Sequence, residues 1–166
     1  MSDIVVLPER YSKLIEKFPE KVRLEDRSNF KGVISTSDDL IEVMTYINQE
    51  LHYDFLSSVT AVDDFPEDRM EIIYHLFKSV GGPEIEVKVF TDRETPHVPS
   101  LVSIFAGAEL QEREVYDLFG IRFDNHPDLR RILMWEGFEG YPLRKDYKVD
   151  LGNKDAVTVE EEKSGN

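Results

Sequence analysis

The stretch "ELQEREVYDLFGIRFDNHPDLRR" sets Glu109, Glu112, Glu114 and Asp117 close together and follows them with His126. Paired acids can do acid/base work where burial separates their pKa values, and an imidazole widens that chemistry. Arginine interrupts the acids, however. On a helix Arg113 lies four residues after Glu109 and four before Asp117, so its guanidinium reaches acids on either side along one stripe, while Leu110, Glu114 and Leu118 share another. The acids of this helix also offer ion-pair partners to Arg130, Arg131 and Arg144 in the segment that follows. Planar guanidinium forks fix irregular backbone through carboxylate or carbonyl oxygens, which favours a structural charge network over catalysis.

The neighbouring motifs have similar readings. In "NHPD", Pro127 biases His126 toward extended backbone, Asn125 and Asp128 can serve nearby backbone groups, and His126 then acts as a hydrogen-bonding clip rather than a general base. The strip "YPLRKDY" is aromatic and basic, suited to lying across another protein's surface. His52, His75, His97 and His126 are dispersed, and none has the ligand spacing of an HExxH helix, so no metal site is expected. The "GGPE" segment joins two strands and lacks the GK[ST] or GxGxxG pattern of a phosphate loop. No G-x-S-x-G elbow supports Ser57, Ser58 or Ser103 as a nucleophile.

These motifs sit in a chain of 166 residues with a formal net charge of -14, from 34 acidic and 20 basic side chains. Such a charge repels nucleic acid phosphates and anionic lipid surfaces. The length suits one ordinary core, and the apolar runs "IVVL" and "LVSIFAGA" are too short to cross a bilayer. The opening residues carry neither a basic n-region nor an Arg-rich transit pattern, so a cytoplasmic chain is expected. With no cysteine, the chain offers no disulfide, no thiolate nucleophile and no thiolate ligand for an iron–sulfur cluster.

The elements that must position the acids read as follows. Tyr11, Leu14, Ile15 and Phe18 line one face of a helix ending before Pro19, and "KVRLED" is a strand. Ser37 is a suitable N-cap for a second helix whose apolar face is Leu40, Ile41, Met44, Ile47 and Leu51. "FLSSVTAV" reads as a strand followed by a "DDFPED" turn. "RMEIIYHLF" and "EIEVKVF" form an antiparallel hairpin across "KSVGGP", with Ile85, Val87 and Val89 on an apolar face and Glu84, Glu86 and Lys88 on a wet one. "TDRETPHVPS" is a loop, and a helical region then runs to a stop at Gly120. Residues 121–149 have no sustained period, and 151–166 form an acidic tail. The expected fold is α/β of the α+β type. Short N-terminal helices pack on a mainly antiparallel mixed sheet, followed by a helix and a long irregular arm, with residues 1–150 as one domain.

"EREVYDLFGIRFDNHPDLRRIL" followed by "GYPLRKDY" resembles the signature of the C subunit of the proton-pumping NADH-quinone oxidoreductase, respiratory complex I. The features that carry the resemblance are Glu112, Arg113, Glu114, Asp117, the Leu118–Phe119 pair, His126, Arg130 and the Ile132–Leu133 pair. Arg131, Arg144 and Asp146 complete the expected interface and ion-pair set. The preceding "VKVFTDRETPHVPSLVSIFAGA" is also similar to the family, so the likeness covers roughly residues 70–148, whereas "MWEGFEGYP" departs from it.

The resemblance implies a non-catalytic subunit of the peripheral arm that holds no cofactor itself. NAD, FMN, iron–sulfur clusters and quinone belong to the whole complex. Its implied partners are the quinone-pocket D subunit and the terminal-cluster B subunit, at the cytoplasmic face of the inner membrane. Two alternatives remain: the equivalent subunit of an energy-converting hydrogenase or deazaflavin-dependent dehydrogenase, and a free-standing acid/base enzyme using Glu112, Glu114 and His126.

Overall fold

A computed structural model describes residues 8–25, 27 and 32–148; the acidic stretch 151–166 lies outside the described residues. A five-stranded sheet in the order β1-β2-β5-β4-β3 carries the fold. Its strands are β1 (Val22–Leu24), β2 (Val33–Ser35), β3 (Phe55–Asp64), β4 (Arg69–Phe77) and β5 (Ile85–Asp92). The β2·β5 pair is parallel and the others are antiparallel, which gives the mainly antiparallel mixed sheet expected from the sequence.

Register explains the core. Ile72, Tyr74 and Leu76 of β4 lie opposite Val89, Val87 and Ile85 of β5, and all six side chains are fully buried. The period-2 alternation places them on one face. Helices α1 (Glu9–Lys17) and α2 (Leu40–Gln49) contribute Tyr11, Leu14, Leu40, Val43, Met44 and Ile47 to the same cluster. Val43 is buried where Ile41 was expected; Ile41 sits at the helix margin, 37% exposed. Ser37 does not cap α2 with its side chain. The helix starts at Leu40, and the hydroxyl of Thr36 instead takes the N–H of Asp39 at 3.2 Å and donates to its carboxylate at 2.6 Å.

β3 runs two residues past the expected strand, so Asp63 and Asp64 are strand residues rather than part of the turn, and Asp63 is buried. A second correction concerns the supposed wet face of the hairpin. Lys88 is 1% exposed there, and its Nζ lies 3.0 Å from Glu25 and 2.9 Å from Glu71, beside Arg27. Residues 25 and 27 thus bring charge over a face that alternation alone marks as solvent-facing.

Beyond the sheet, β6 (His97–Pro99) pairs in parallel with β7 (Arg122–Asp124), and α3 (Ala108–Phe119) runs between them against β3. Both short strands fall where loop or irregular chain was expected. On α3, Gln111 covers free backbone at the edge of β3: its Oε1 accepts the Val59 N–H at 2.6 Å. Such a contact shields part of an otherwise open edge strand.

Candidate functional site

α3 is the base of the site because its buried polar side chains hold chain segments on either side of it. Val115 and Ala108 anchor the helix in the core, and Gly120 ends it at φ 80°. A Cβ at Gly120 would come within 2.5 Å of the Tyr141 ring, so glycine serves both the left-handed backbone and the close approach of the arm.

Asp117 has no exposed surface. One carboxylate oxygen accepts three successive backbone N–H groups, from Ile132 at 3.0 Å, Leu133 at 2.7 Å and Met134 at 2.8 Å. Its other oxygen accepts from the Arg131 guanidinium at 2.7 Å. Burial opposes the anion most strongly of any single influence. The bonds from Met134, Ile132, Leu133 and Arg131 together outweigh it and hold the carboxyl below its ordinary range.

Arg131 also donates to the carbonyls of Asp117 and Gly140, at 3.0 and 2.8 Å. Arg113 does not pair with Glu109 or Asp117 as helical spacing suggested. It reaches off the helix to the carbonyls of Arg130 and Arg131, at 3.1 and 3.3 Å. Backbone carbonyls of a non-periodic segment need donors that the segment cannot supply, and these buried contacts prevail over an exposed helical pair.

His126 forms a clip. Its Nδ1 accepts the Asp128 N–H at 3.0 Å, which places the ring proton on Nε2, and Nε2 donates to the Glu109 carbonyl at 3.0 Å. Arg130 is 70% exposed at its side chain and touches Asp128 at 2.8 Å rather than α3. Glu114 is exposed on α3. Arg144 does not reach α3 by ion pairing; it donates to the Arg93 carbonyl at 2.8 Å and lies 3.7 Å from Asp146.

The latch at the arm's far end was not foreseen. Buried Asp63 takes a fork from Arg93, at 2.7 and 2.9 Å, and the backbone N–H of Lys145 at 2.7 Å. Arg93 in turn contacts Asp146 at 2.8 Å. The sequence offered no local signal, because Asp63 stands in an acidic run that looks like a turn. "YPLRKDY" therefore folds back onto its own chain, with the Leu143 N–H on the Leu118 carbonyl at 3.1 Å.

Glu112 is fully buried and accepts from the Ser100 hydroxyl at 2.6 Å and the Leu101 N–H at 2.7 Å. Burial is the main influence and pushes its carboxyl up, while the Ser100 and Leu101 bonds oppose this. A raised folded-state pKa means that the native chain binds the proton more tightly, so this group's contribution falls as pH rises above the ordinary glutamate range. Glu112→Gln is expected to flatten the decline of stability across that interval, read by urea unfolding at a series of pH values. An unchanged slope would exclude Glu112 as its source.

Among the described residues, none of the main clefts is lined by Glu112, Glu114 or His126. Clefts of about 480, 430 and 410 Å³ are lined respectively by residues around Pro19 and Ile34, by Arg10, His52, Tyr53 and Lys78, and by Tyr116, Arg122, Tyr141 and Arg144. The arrangement instead fixes the backbone of an irregular arm while several apolar side chains on it and on α3 stay exposed. Leu110, Leu133, Trp135 and Leu143 are each more than half exposed, at 56, 55, 69 and 51%.

Residues 33–152 match the family model described as the respiratory-chain NADH dehydrogenase 30 Kd subunit. The NADH-quinone oxidoreductase C subunit of Moorella thermoacetica is 42% identical over 133 residues, covering 80% of this chain and 88% of the relative. The NADH-quinone oxidoreductase C/D subunit of Phocaeicola vulgatus is 44% identical over 116 residues, 69% of this chain and 22% of that longer one. Among solved structures, a chain of the archaeal membrane-bound sulfane sulfur reductase aligns with a TM-score of 0.73 at 26% identity, covering 84% of each chain. These matches show that the chain belongs to the respiratory-chain NADH dehydrogenase 30 kDa subunit family, whose relatives here are NADH-quinone oxidoreductase C subunits.

Proposed function

We propose that the chain is a non-catalytic brace of the peripheral arm, lying between the quinone-pocket D subunit and the terminal-cluster B subunit at the cytoplasmic face of the membrane. In this reading residues 1–150 act as one unit, and NAD, FMN, iron–sulfur clusters and quinone are handled by other subunits. The bracing role is to keep the quinone-site and terminal-cluster subunits in register, so that electron transfer from NADH to quinone stays coupled to proton translocation.

The observation that carries this reading is an arm whose backbone is held by side chains of other segments while several of its apolar side chains stay exposed. A segment without regular structure is costly to order, yet here Asp117, Arg113, Arg131 and Asp63 hold its backbone and leave Leu133, Trp135 and Leu143 exposed. Preorganised apolar and aromatic side chains are what a stable protein interface uses at its centre. The C/D designation of the Phocaeicola vulgatus relative supports the D subunit as a neighbour, since one longer chain carries both letters.

Arg130, exposed and paired among the described residues with nearby Asp128, separates docking from folding. Arg130→Glu is expected to leave the isolated chain's unfolding within about 0.5 kcal/mol of wild type, as for other surface changes. It should reduce the amount of assembled complex on native gels and, with it, NADH-quinone activity. A fully assembled complex with normal cluster signals but no turnover would sink the bracing role and favour a catalytic one.

The structural likeness to the sulfane sulfur reductase chain keeps a second reading in view, an equivalent subunit of a related membrane complex such as an energy-converting hydrogenase or a deazaflavin-dependent dehydrogenase. Affinity purification of the native complex followed by mass spectrometry decides between them. Flavin-bearing NADH-oxidising subunits are expected, and a nickel-site large subunit in their place would establish the second machine.

A further inference from the structure

We propose that His75, Glu84 and Glu86 bind a divalent first-row transition ion at the turn end of the β4–β5 hairpin. His75 and Glu86 are direct cross-strand partners and so share a face of the sheet, and Glu84, just ahead of β5, brings a carboxylate oxygen to the same group. Their donor atoms lie within 4.8 Å of one another, with His75 Nδ1 3.9 Å from a Glu86 oxygen. An ion held at zinc-like bond lengths needs its donors roughly 3 to 4.4 Å apart, close to the spread seen here.

The other end of the same sheet face provides the contrast. Glu25 and Glu71 are also brought together there, and Lys88 and Arg27 neutralise them. Among the described residues neither Glu84 nor Glu86 has a lysine or arginine ion-pair partner; the one ion-pair contact is between Glu86 and His75. All three side chains are half-buried. Burial raises the proton affinity of Glu86, His75 opposes this, and the like charge of Glu84 adds to it, with Arg10 a weaker opposing influence. The Glu86 backbone is itself held, its N–H reaching the Tyr11 hydroxyl at 3.4 Å.

One imidazole nitrogen and two carboxylate oxygens form a borderline donor set that suits Zn²⁺, Fe²⁺ or Mn²⁺ and leaves remaining positions for water. A bound ion would tie β4 to the entry of β5 across the "KSVGGP" turn. The full chain is titrated with Zn²⁺ by calorimetry near neutral pH in excess Mg²⁺. One saturable site is expected, with His75 ring resonances shifting in parallel in the unaltered chain. His75→Ala and Glu86→Gln should each weaken binding by at least about tenfold, the lower end of what even outer-shell changes cost a metal site. His97→Ala, which removes a different imidazole paired with Asp124 at 2.9 Å, should leave affinity unchanged. Absence of a saturable site, unmoved His75 resonances, or full affinity in His75→Ala would overturn the proposal.

Discussion

Asp117→Asn is expected to free the C-terminal arm while leaving the sheet folded. The substitution keeps the volume but turns one acceptor into a donor, in a place where three backbone N–H groups and a guanidinium all donate. Breaking one partner of a buried charged cluster costs about 3–5 kcal/mol, because the remaining groups are left without water or partner. Trp135, the chain's one tryptophan, lies in the arm and reports on it, whereas far-ultraviolet dichroism follows the sheet. In urea the tryptophan transition of the variant should move to much lower denaturant than the dichroism transition. Coincident transitions at wild-type denaturant would refute the hold of Asp117 on the arm.

The same carboxylate gives the arm an acid limit. Because the Asp117 pKa is depressed in the folded chain, its contribution is fully present above the ordinary aspartate range and is lost as pH falls through the lower folded value. Asp63 shifts in the same direction, chiefly through its bond from Arg93. Acid should therefore release both ends of the arm in the wild type, and the Asp117→Asn chain should lack the Asp117 share of that response.

Lys88→Ala carries the second large effect, and it acts on the sheet rather than the arm. It leaves Glu71, 2% exposed, and the Glu25 side chain, 3% exposed, with Arg27 as their nearest remaining cation. Loss of about 3–5 kcal/mol in urea unfolding is expected, because two carboxylates cannot share a dry site without enough positive charge. Burial already raises the Glu71 carboxyl, with Arg27 opposing. Protonation is the variant's way to relieve the site, so its deficit should shrink as pH falls into the glutamate range. A double change, Lys88→Met with Glu71→Gln, should recover part of the loss by removing charge from both sides. A Lys88→Ala chain within about 1 kcal/mol of wild type would mean that water reaches the cluster.

The long periodic elements were legible because their information is local. Apolar spacing marked α1 and α2, alternation marked the β4–β5 hairpin, and Gly120 marked the end of α3. Strands of three residues, β2, β6 and β7, hold too few alternations to stand out, and tertiary pairing creates them. The signature segment was also legible, and with it the family.

What the sequence could not assign was the partner of each charge. Helical spacing joined Arg113 to Asp117, but Arg113 serves carbonyls of residues 130 and 131, and Asp117 serves amides of residues 132–134. Alternation placed Lys88 in water, yet residues 25 and 71 bury it. Asp63 meets Lys145 across more than eighty positions. Period determines which segments become helix or strand, and the signature segment carries the resemblance to the family. The pairing of buried charges follows desolvation, which exists only once distant segments have closed over one another.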